Sequence, residues 1–350
     1  MNQIFIDGKR IGIDSPIFLI AEAGINHNGD LKLAKKLIDI AARAKVDAIK
    51  FQTFIAEKLI VNLAPKADYQ KVSNDDKETF YNMVKKFELN KEDFEDLKNY
   101  SIENNLIFLS SPFDETSVEW LEHLEIPAYK IASGELTNFP LLKVICSKGK
   151  PILISTGMAT LEEVKETVDF IKSNKIEEIV ILQCTTNYPS TFNELNLNVI
   201  ETYKKEFPND VIGFSDHSLG IEASIGAAAK GAKVIEKHFT IDKELEGPDH
   251  KASLDPKELI EWVKSIRTIE KALGSYEKKP TNSEKEMIKY ARKSIVTARD
   301  IQKGETLKNK DITIKRPGYG IPPKFFKDLI NKKTKRFLPK DSIINQEDLE

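Results

Sequence analysis

The sequence of 350 residues contains only two cysteines, Cys146 and Cys184. So few cysteines in a chain of this length argue against a disulfide framework. The most apolar early run, residues 16–21, is stopped by Glu22, far short of the roughly 20 residues that a membrane helix needs. The N-terminus also lacks the basic and apolar regions of a secretory signal peptide. These absences predict a cytoplasmic protein with no membrane partner.

The sequence has little net charge, −2 overall, but the charge is unevenly distributed. Residues 289–350 contain 16 Lys and Arg against 8 Asp and Glu, so this segment carries +8 and the remainder about −10. A basic segment can bind nucleic acid or membranes. Because these charges are spread among apolar and turn residues, we interpret the segment as a solvated surface that complements an acidic partner domain. We expect no nucleic-acid partner.

Short apolar runs alternate with segments of helical periodicity from residue 17 to about residue 273. The eight candidate strands are 17–22, 46–53, 106–110, 128–132, 151–155, 178–184, 211–215 and 233–239. Helix start signals lie between them, such as Asp114 and the capping box of Thr160 and Glu163. This count predicts an α/β fold, a (β/α)8 TIM barrel over residues 1–275. A doubly wound open sheet is the alternative.

Polar segments interrupt this pattern in two places. Residues 55–76 are too long for an ordinary connection between a strand and a helix, which suggests an active-site lid. Residues 276–288 have the composition of a linker. Beyond it, two similar segments begin at Arg299 and Arg336, 37 residues apart. They predict a small, mostly β domain over residues 289–350.

The stretch from Val211 to Thr240 contains two apolar runs on either side of an Ala/Gly-rich helical segment. This is the pattern of a parallel βαβ unit, in which both strands end at the same edge of the sheet. His217 and His238 follow the two runs and would lie side by side there. α/β enzymes keep their active sites at this edge, so the pair is a candidate metal site.

Other polar side chains also lie at or just after the ends of the predicted strands. These are Glu22, Lys50, Gln52, Ser110, Ser111, Lys130, Ser133, Glu135, Ser155, Thr156, Thr185, Thr186, Tyr188, Ser215 and Glu236. Two imidazoles with a carboxylate such as Glu135 suit a divalent ion, which would act as a Lewis acid. Two lysines with several hydroxyls suit a phosphate or carboxylate anion. A Schiff-base aldolase that uses Lys50 or Lys130 as its nucleophile is the alternative.

Nine sequence motifs resemble those of the sialic acid synthases, in the same order and spacing. They are IAEAGINHNGD, IKFQTF, SSPFD, AYKIASGE, ISTGMAT, CTTNYP, GFSDHS, EKHFT and GPDH. The segment with KRPGYG resembles the C-terminal antifreeze-like (SAF) domain of that family. The resemblance implies a transferase that condenses phosphoenolpyruvate with an N-acetylated amino sugar, with a divalent ion such as Mn2+ or Mg2+ as cofactor.

The resemblance also implies roles for individual residues. His217 and His238 would bind the metal, with Glu135 close to it, and Glu22 would handle a proton. The phosphoenolpyruvate positions are Lys50, Ser111, Lys130, Ser133, Ser155, Thr186 and Ser215, where Thr186 replaces an Asn of some relatives. The sugar-side positions are Gln52, Tyr188, Asp249 and Arg316. Arg316 would reach the barrel of the other subunit, which implies a domain-swapped homodimer.

Two other functions stay open at this point. Another phosphoenolpyruvate-dependent synthase could make a 3-deoxy sugar acid from a phosphorylated sugar. A binding protein could use the antifreeze-like domain for glycan or ice recognition, with an inert barrel. The accepted amino sugar is also open. N-acetylmannosamine and two diacetamido sugars, the precursors of legionaminic and pseudaminic acid, differ at the end of the sugar far from the reacting carbon.

Overall fold

The computed structural model describes residues 3–62, 64 and 79–350. Its first element is an antiparallel hairpin of β1 (Gln3–Ile6) and β2 (Lys9–Gly12), which the sequence analysis does not predict. Most of the proposed lid at 55–76 lies outside the described residues.

Eight parallel strands form the main sheet. They are β3 (Phe18–Gly24), β4 (Ala48–Thr53), β5 (Ile107–Pro112), β6 (Tyr129–Ile131), β7 (Ile152–Ser155), β8 (Ile179–Cys184), β9 (Val211–Asp216) and β10 (Val234–His238). The sheet runs in the order β5-β4-β3-β10-β9-β8-β7-β6, and its end strands β5 and β6 lie beside each other. The sheet therefore closes on itself, and the predicted TIM barrel is confirmed.

Helices connect these strands. They are α1 (Leu31–Ala44), α2 (Ala56–Leu59), α3 (Phe80–Phe87), α4 (Lys91–Glu103), α5 (Glu115–His123), α6 (Phe139–Cys146), α7 (Leu161–Ser173), α8 (Val199–Glu206), α9 (Glu222–Ala229) and α10 (Pro256–Leu273). The predicted caps are present: Asp114 accepts from the Ser117 amide at the start of α5, and Thr160 and Glu163 form a capping box on α7. Each cap satisfies amide groups that a helix start leaves free. Within the described residues, no helix is both long and apolar enough to cross a membrane.

The barrel interior has an apolar half and a polar half. Strand residues such as Ile20, Ala48 and Leu109 pack in one apolar cluster with Ile4 and Ile6 of the hairpin. Side chains in a strand alternate between faces, so the residues two positions later, such as Glu22, Lys50 and Ser111, face the same interior. The hairpin therefore helps to bury the apolar half, and polar groups occupy the carboxyl ends of the strands.

The chain divides into two compact units, Met1–Gly274 and Ser275–Glu350. The second contains α11 (Asn282–Ala291), β11 (Ser294–Thr297) and β12 (Ile312–Lys315), with β11 and β12 antiparallel. Helix α11 begins within the segment interpreted as a linker, because Thr281 and Glu284 form a capping box there.

The two similar segments of the second unit make the same internal contact. Arg299 Nε donates to Asp311 Oδ1 at 2.8 Å, and Arg336 Nε donates to Asp348 Oδ1 at 2.5 Å. Each arginine thus pairs with the aspartate 12 residues later, so the sequence repeat is also a structural repeat.

Candidate active site

A cavity of about 430 Å³ opens at the carboxyl ends of the strands. Thirteen of the predicted site residues line it: Glu22, Lys50, Gln52, Ser111, Lys130, Ser133, Ser155, Thr186, Tyr188, Ser215, His217, His238 and Asp249. They come from seven strands and from the loops that follow the strands. The barrel therefore brings residues separated by more than 200 positions to a single site.

Two lysines and two glutamates form a buried charge network in this cavity. Lys50 Nζ lies 2.8 Å from Glu22 Oε2 and 3.8 Å from Glu236 Oε2. Lys130 Nζ lies 3.6 Å from Glu236 Oε1. All four side chains are at most 5% exposed, so Glu236 links the two lysines from one side.

Burial and pairing act against each other on the pKa values of this network. Burial raises the pKa of Glu22 to about 7, although Lys50 opposes the shift. For Glu236, burial is outweighed by Lys130 and Lys50, which lower its pKa. Burial also lowers the pKa of Lys130, whereas Glu22 and Glu236 overcome burial at Lys50 and raise its pKa. Glu22 is therefore the carboxyl group poised to change charge near neutral pH.

Serine hydroxyls accept hydrogen bonds from both lysines. Lys50 Nζ donates to Ser111 Oγ at 3.1 Å, and Lys130 Nζ donates to Ser155 Oγ at 2.7 Å. Ser215 Oγ donates to Glu236 Oε1 at 3.1 Å. The result is a cluster of cationic and hydroxyl donors, the groups that bind phosphate and carboxylate oxygens.

A second group of hydroxyls surrounds the backbone at Gly157. The Gly157 amide donates to Ser133 Oγ at 3.0 Å, while Thr186 Oγ1 is buried and makes no hydrogen bond within the described part of the chain. A Cβ atom at position 157 would collide with the Thr186 hydroxyl. A side chain at this position would therefore displace the Thr186 hydroxyl, which as it stands has capacity to bond a ligand.

The histidines occupy the other side of the cavity. The ring centroids of His217 and His238 are 5.5 Å apart, and the Tyr188 ring lies 4.2 Å from the first and 5.6 Å from the second. His217 Nδ1 lies 2.8 Å from the Thr185 carbonyl oxygen, and Cys184 Sγ lies 3.7 Å from the same nitrogen. The predicted pairing of the two histidines is therefore present.

The donors on this side are suited to a divalent ion. Burial and neighbouring cations lower the pKa of His238 well below its usual value, which keeps the ring neutral as a metal ligand requires. Its Nδ1 is buried without a hydrogen-bond partner in the described ranges and lies 3.9 Å from Asp249 Oδ2. No cluster of three or more His, Cys, Asp or Glu with metal-site geometry occurs among the described residues. Against the effect of burial, Cys184 and the Thr185 carbonyl raise the pKa of His217, but the contact of Nδ1 with that carbonyl leaves Nε2 as the nitrogen available to an ion. The two imidazoles thus supply two donors to an ion whose other ligands would come from substrate or water.

Apolar side chains form a further wall of the cavity, which we call the apolar wall. It consists of Ile25, Phe54, Leu59, Ile60, Phe80, Met83, Val84, Phe87 and Phe113. Phe54, Met83, Val84 and Phe87 pack in one cluster with Ala56, which joins the end of β4 to α2 and α3. The sequence analysis did not single out these residues.

Two predicted site residues do not line the cavity. Glu135 lies in the short turn after β6, where its Oε2 accepts a hydrogen bond from Asn138 Nδ2 at 2.6 Å. This hydrogen bond holds its carboxylate at the start of α6, and the expected position of Glu135 close to the metal stays a prediction. Arg316 belongs to the second unit, where it is exposed and its Nε donates to the Ala291 carbonyl at 3.0 Å.

The sequence analysis placed Glu236 at a strand end but gave it no role. Its position two residues before His238 was an available signal, because both side chains must face the same side of β10. The sequence analysis used Cys184 only to argue against a disulfide framework. It too ends a strand, and both Ser133 and His217 contact its sulfur.

Comparison with known proteins identifies the family of this chain. The model of the NeuB family matches residues 37–278, and that of the SAF domain matches residues 292–350. The N,N'-diacetyllegionaminic acid synthase of Campylobacter jejuni is 45% identical over 330 residues, which cover 94% of this chain and 98% of that protein. Human N-acetylneuraminate-9-phosphate synthase is 36% identical over 341 residues, which cover 97% of this chain and 94% of that protein.

A solved structure is also similar over most of the chain. The N-acetylneuraminic acid synthetase of Leptospira borgpetersenii, in complex with citrate, has a TM-score of 0.74 at 37% identity, covering 82% of this chain and 95% of that one. These findings confirm the resemblance that the sequence motifs indicate. The chain belongs to the NeuB family and carries a C-terminal SAF domain.

Proposed function

We propose that this enzyme condenses phosphoenolpyruvate with an N-acetylated amino sugar to give a nonulosonic acid and phosphate. One observation carries the proposal: a single cavity combines two lysines that suit an anion with a histidine pair that suits a metal. The relatives support it, since they include synthases of legionaminic, pseudaminic and N-acetylneuraminic acids.

The lysine side of the cavity would bind phosphoenolpyruvate. Lys50 and Lys130, with the hydroxyls of Ser111 and Ser155, would hold its carboxylate and phosphate groups. Ser133, Thr186 and Ser215 would supply further hydroxyl donors. Because both lysines are already held by buried carboxylates and hydroxyls, the site is organised before substrate arrives, which lowers the cost of binding.

The histidine side would bind the sugar aldehyde. His217 and His238 would hold a divalent ion, Mn2+ or Mg2+, which when bound supplies a Lewis acid for the aldehyde oxygen. Gln52, Tyr188 and Asp249 would position the sugar. Glu22, with its pKa near 7, lies between the two halves and would handle the proton on the aldehyde oxygen or on water.

The proposed reaction balances as follows. The methylene carbon of phosphoenolpyruvate forms a bond to the aldehyde carbon, and the aldehyde oxygen takes up a proton. Water adds to the carbon that carries the phosphate, and loses a proton. The bond between that carbon and the bridging oxygen then breaks, and phosphate leaves with that oxygen and its electron pair. The hydroxyl left on the carbon gives up its proton to the phosphate as the ketone forms.

The apolar wall favours one group of sugars. A 2,4-diacetamido-2,4,6-trideoxyhexose carries a methyl group and two acetamido methyls, where N-acetylmannosamine has one acetamido group and more hydroxyls. An apolar pocket discriminates a methyl group by about 1–3 kcal/mol. We therefore propose a legionaminic- or pseudaminic-type precursor as the sugar.

The alternatives fit the site less well. A Schiff-base mechanism needs an uncharged lysine, but Glu22 and Glu236 raise the pKa of Lys50 against the effect of burial. Burial lowers the pKa of Lys130, but its Nζ lies 3.6 Å from the Glu236 carboxylate and donates to Ser155, contacts that suit an ammonium group bound to an anion. A phosphorylated sugar needs a second cationic site. Among the described residues that line the cavity, Lys50 and Lys130 are the only Lys or Arg. Both would bind phosphoenolpyruvate, which leaves no cation for a sugar phosphate among these residues.

The assembly is part of the proposal. We propose a cytoplasmic homodimer in which the SAF domain, residues 289–350, carries Arg316 to the sugar end of the other subunit's barrel. Residues 1–275 would be the catalytic domain. Residues 276–288, which include the first turns of α11, would connect the catalytic domain to the SAF domain.

A substrate panel tests the function. The purified protein with phosphoenolpyruvate and Mn2+ is given N-acetylmannosamine, its 6-phosphate, or either of the two diacetamido sugars, and phosphate release is followed. We expect release with an unphosphorylated sugar, fastest with a diacetamido sugar. Release only with the 6-phosphate would contradict the proposal.

A further inference from the structure

A buried ion pair lies on the outer face of the barrel wall, directly behind the two histidines. Lys237 Nζ lies 3.0 Å from Asp216 Oδ2, and both side chains are at most 1% exposed. Neither residue lines the cavity. Their neighbours in sequence, His217 and His238, do.

Strand alternation explains this placement. On β10, Glu236 and His238 face the cavity, so Lys237 between them faces outward. On β9 and the residue that follows it, Ser215 and His217 face the cavity and Asp216 faces outward. Lys237 and Asp216 are direct partners in the register of the two strands, so the ion pair joins them at the level of the histidines.

The pair also holds the backbone on both sides of His217. Asp216 Oδ1 accepts from the Ser218 amide at 2.9 Å and from Ser218 Oγ at 2.6 Å. Lys237 Nζ donates to the Ser218 carbonyl at 2.7 Å. Asp216 Oδ2 also accepts from Ser224 Oγ at 2.6 Å, which ties the same pair to α9.

Stability alone is a weak reason for this arrangement. Burial of two charges costs about as much as their attraction returns, and apolar residues of similar volume often replace such pairs without loss. What apolar residues cannot reproduce is the set of directed bonds to Ser218 and Ser224. These bonds fix the position of one histidine relative to the other.

We propose that Asp216 and Lys237 are positioning residues that set the spacing of the His217 and His238 rings for one divalent ion. The proposal rests on the proposed metal role of the two histidines. Loss of a direct hydrogen-bond partner of a metal ligand typically weakens metal binding by about 10- to 100-fold. Asp216 and Lys237 act one step further out, through Ser218, so we expect an effect at the lower end of this range. A pair that only stabilised the fold would leave metal affinity unchanged in a folded variant.

The test measures Mn2+ binding directly, by the loss of the electron paramagnetic resonance signal of free Mn2+, alongside unfolding by denaturant. The variant Lys237→Met/Asp216→Asn removes both charges and leaves no unpaired one. We expect it to fold and to bind Mn2+ about tenfold or more weakly than wild type.

The matched control is the ion pair at the opposite end of β9. Lys172 Nζ lies 2.7 Å from Asp210 Oδ2, and the Asp210 side chain is 1% exposed. Because Asp210 directly precedes β9, Lys172→Met/Asp210→Asn changes the same chemistry far from the histidines. We expect wild-type Mn2+ affinity in this control.

Two results would overturn the inference. One is Mn2+ affinity within twofold of wild type in the folded Lys237→Met/Asp216→Asn protein. The other is equal weakening in the control. If the double variant does not fold, Ser218→Ala, which removes the bond from Ser218 Oγ to Asp216 and leaves the ion pair intact, is held to the same criteria. A wild-type protein that binds no Mn2+ would instead refute the metal role itself, whereas phosphate release from the substrate panel reports separately on the synthase function.

Discussion

The Lys50 ammonium lies 2.8 Å from the Glu22 carboxylate, with both side chains buried. The two residues are direct partners in the register of β3 and β4, so the strands themselves fix this contact. Lys50 is therefore paired before any substrate enters the cavity. The charge of Glu22 decides how much net positive charge an incoming anion meets.

Ionisation of Glu22 is expected to weaken binding of phosphoenolpyruvate. Below its pKa of about 7, Glu22 is neutral and does not offset the charge of the lysines. Above that pH it becomes negative and repels the anion, so the KM for phosphoenolpyruvate should rise as pH increases from 6 to 8. Initial rates across this range provide the measurement.

Glu22→Gln is the control for this prediction, because it keeps the shape and stays neutral. Ionisation of the substrate itself is common to both proteins. The variant should have lower kcat, and its KM for phosphoenolpyruvate should depend less on pH. An unchanged pH dependence in the variant would exclude Glu22 as the source.

The apolar wall is expected to set sugar preference through Met83, which is 7% exposed. Met83→Gln introduces a polar amide where the sugar methyl groups would pack. The kcat/KM for the diacetamido sugar should fall by about 10-fold or more relative to that for N-acetylmannosamine. Met287→Gln makes the same change at an exposed position of α11 and should not alter this ratio. An unchanged ratio in Met83→Gln would show that the apolar wall does not determine sugar preference.

Acid is expected to destabilise the barrel through His27. Burial lowers the pKa of this histidine from 6.5 to about 4, while in the unfolded chain it titrates near 6.5. Between these values the unfolded state binds a proton that the folded state does not, so stability falls as pH decreases. His27 alone should account for about 2 kcal/mol of lost stability between pH 7 and pH 5.

Urea unfolding at the two pH values measures this loss. His27→Gln should show about 2 kcal/mol less pH dependence than wild type. His123→Gln changes an exposed histidine and should behave as wild type does. Equal pH dependence in all three proteins would refute the role of His27.

The barrel was predictable because its strands are buried on both faces and therefore form continuous apolar runs. His238 and Lys50 could be placed at one edge because parallel strands end together. Contacts set by backbone turns could not be foreseen. Glu135 follows β6 by only a few residues, yet its carboxylate accepts a hydrogen bond from Asn138 and Glu135 does not line the cavity.

Partners in space were also hidden from the sequence. Glu236 contacts two lysines that lie more than 100 residues before it in the sequence. No local sequence pattern indicates that these residues will be in contact. The hairpin of β1 and β2 lacks the long apolar run that identified the other strands. Its burial comes from the amino-terminal end of the barrel, where it packs against strands that lie as far away in sequence as Val234.

Domain exchange predicts complementation between two inactive proteins. His238→Ala would inactivate its own barrel, and Arg316→Ala would inactivate the barrel of the other subunit. In a mixed dimer one of the two sites keeps both groups, so random mixing should restore about one quarter of wild-type activity. The two proteins are denatured together, refolded and assayed for phosphate release.

Each variant refolded alone is the control and should stay inactive. Arg316 is exposed and bonded to the Ala291 carbonyl, so its loss should leave the unfolding midpoint nearly unchanged. Dimers that form but show no recovered activity would place Arg316 in the site of its own subunit, or outside the site.

The most direct test of the account follows the bridging oxygen of phosphoenolpyruvate. The substrate is labelled with 18O at that position, supplied with a diacetamido sugar and Mn2+, and both products are analysed by mass spectrometry. The account predicts a nine-carbon acid without the label and phosphate that carries it. Label retained in the organic product, or pyruvate and phosphate without a new carbon-carbon bond, would contradict the proposed reaction.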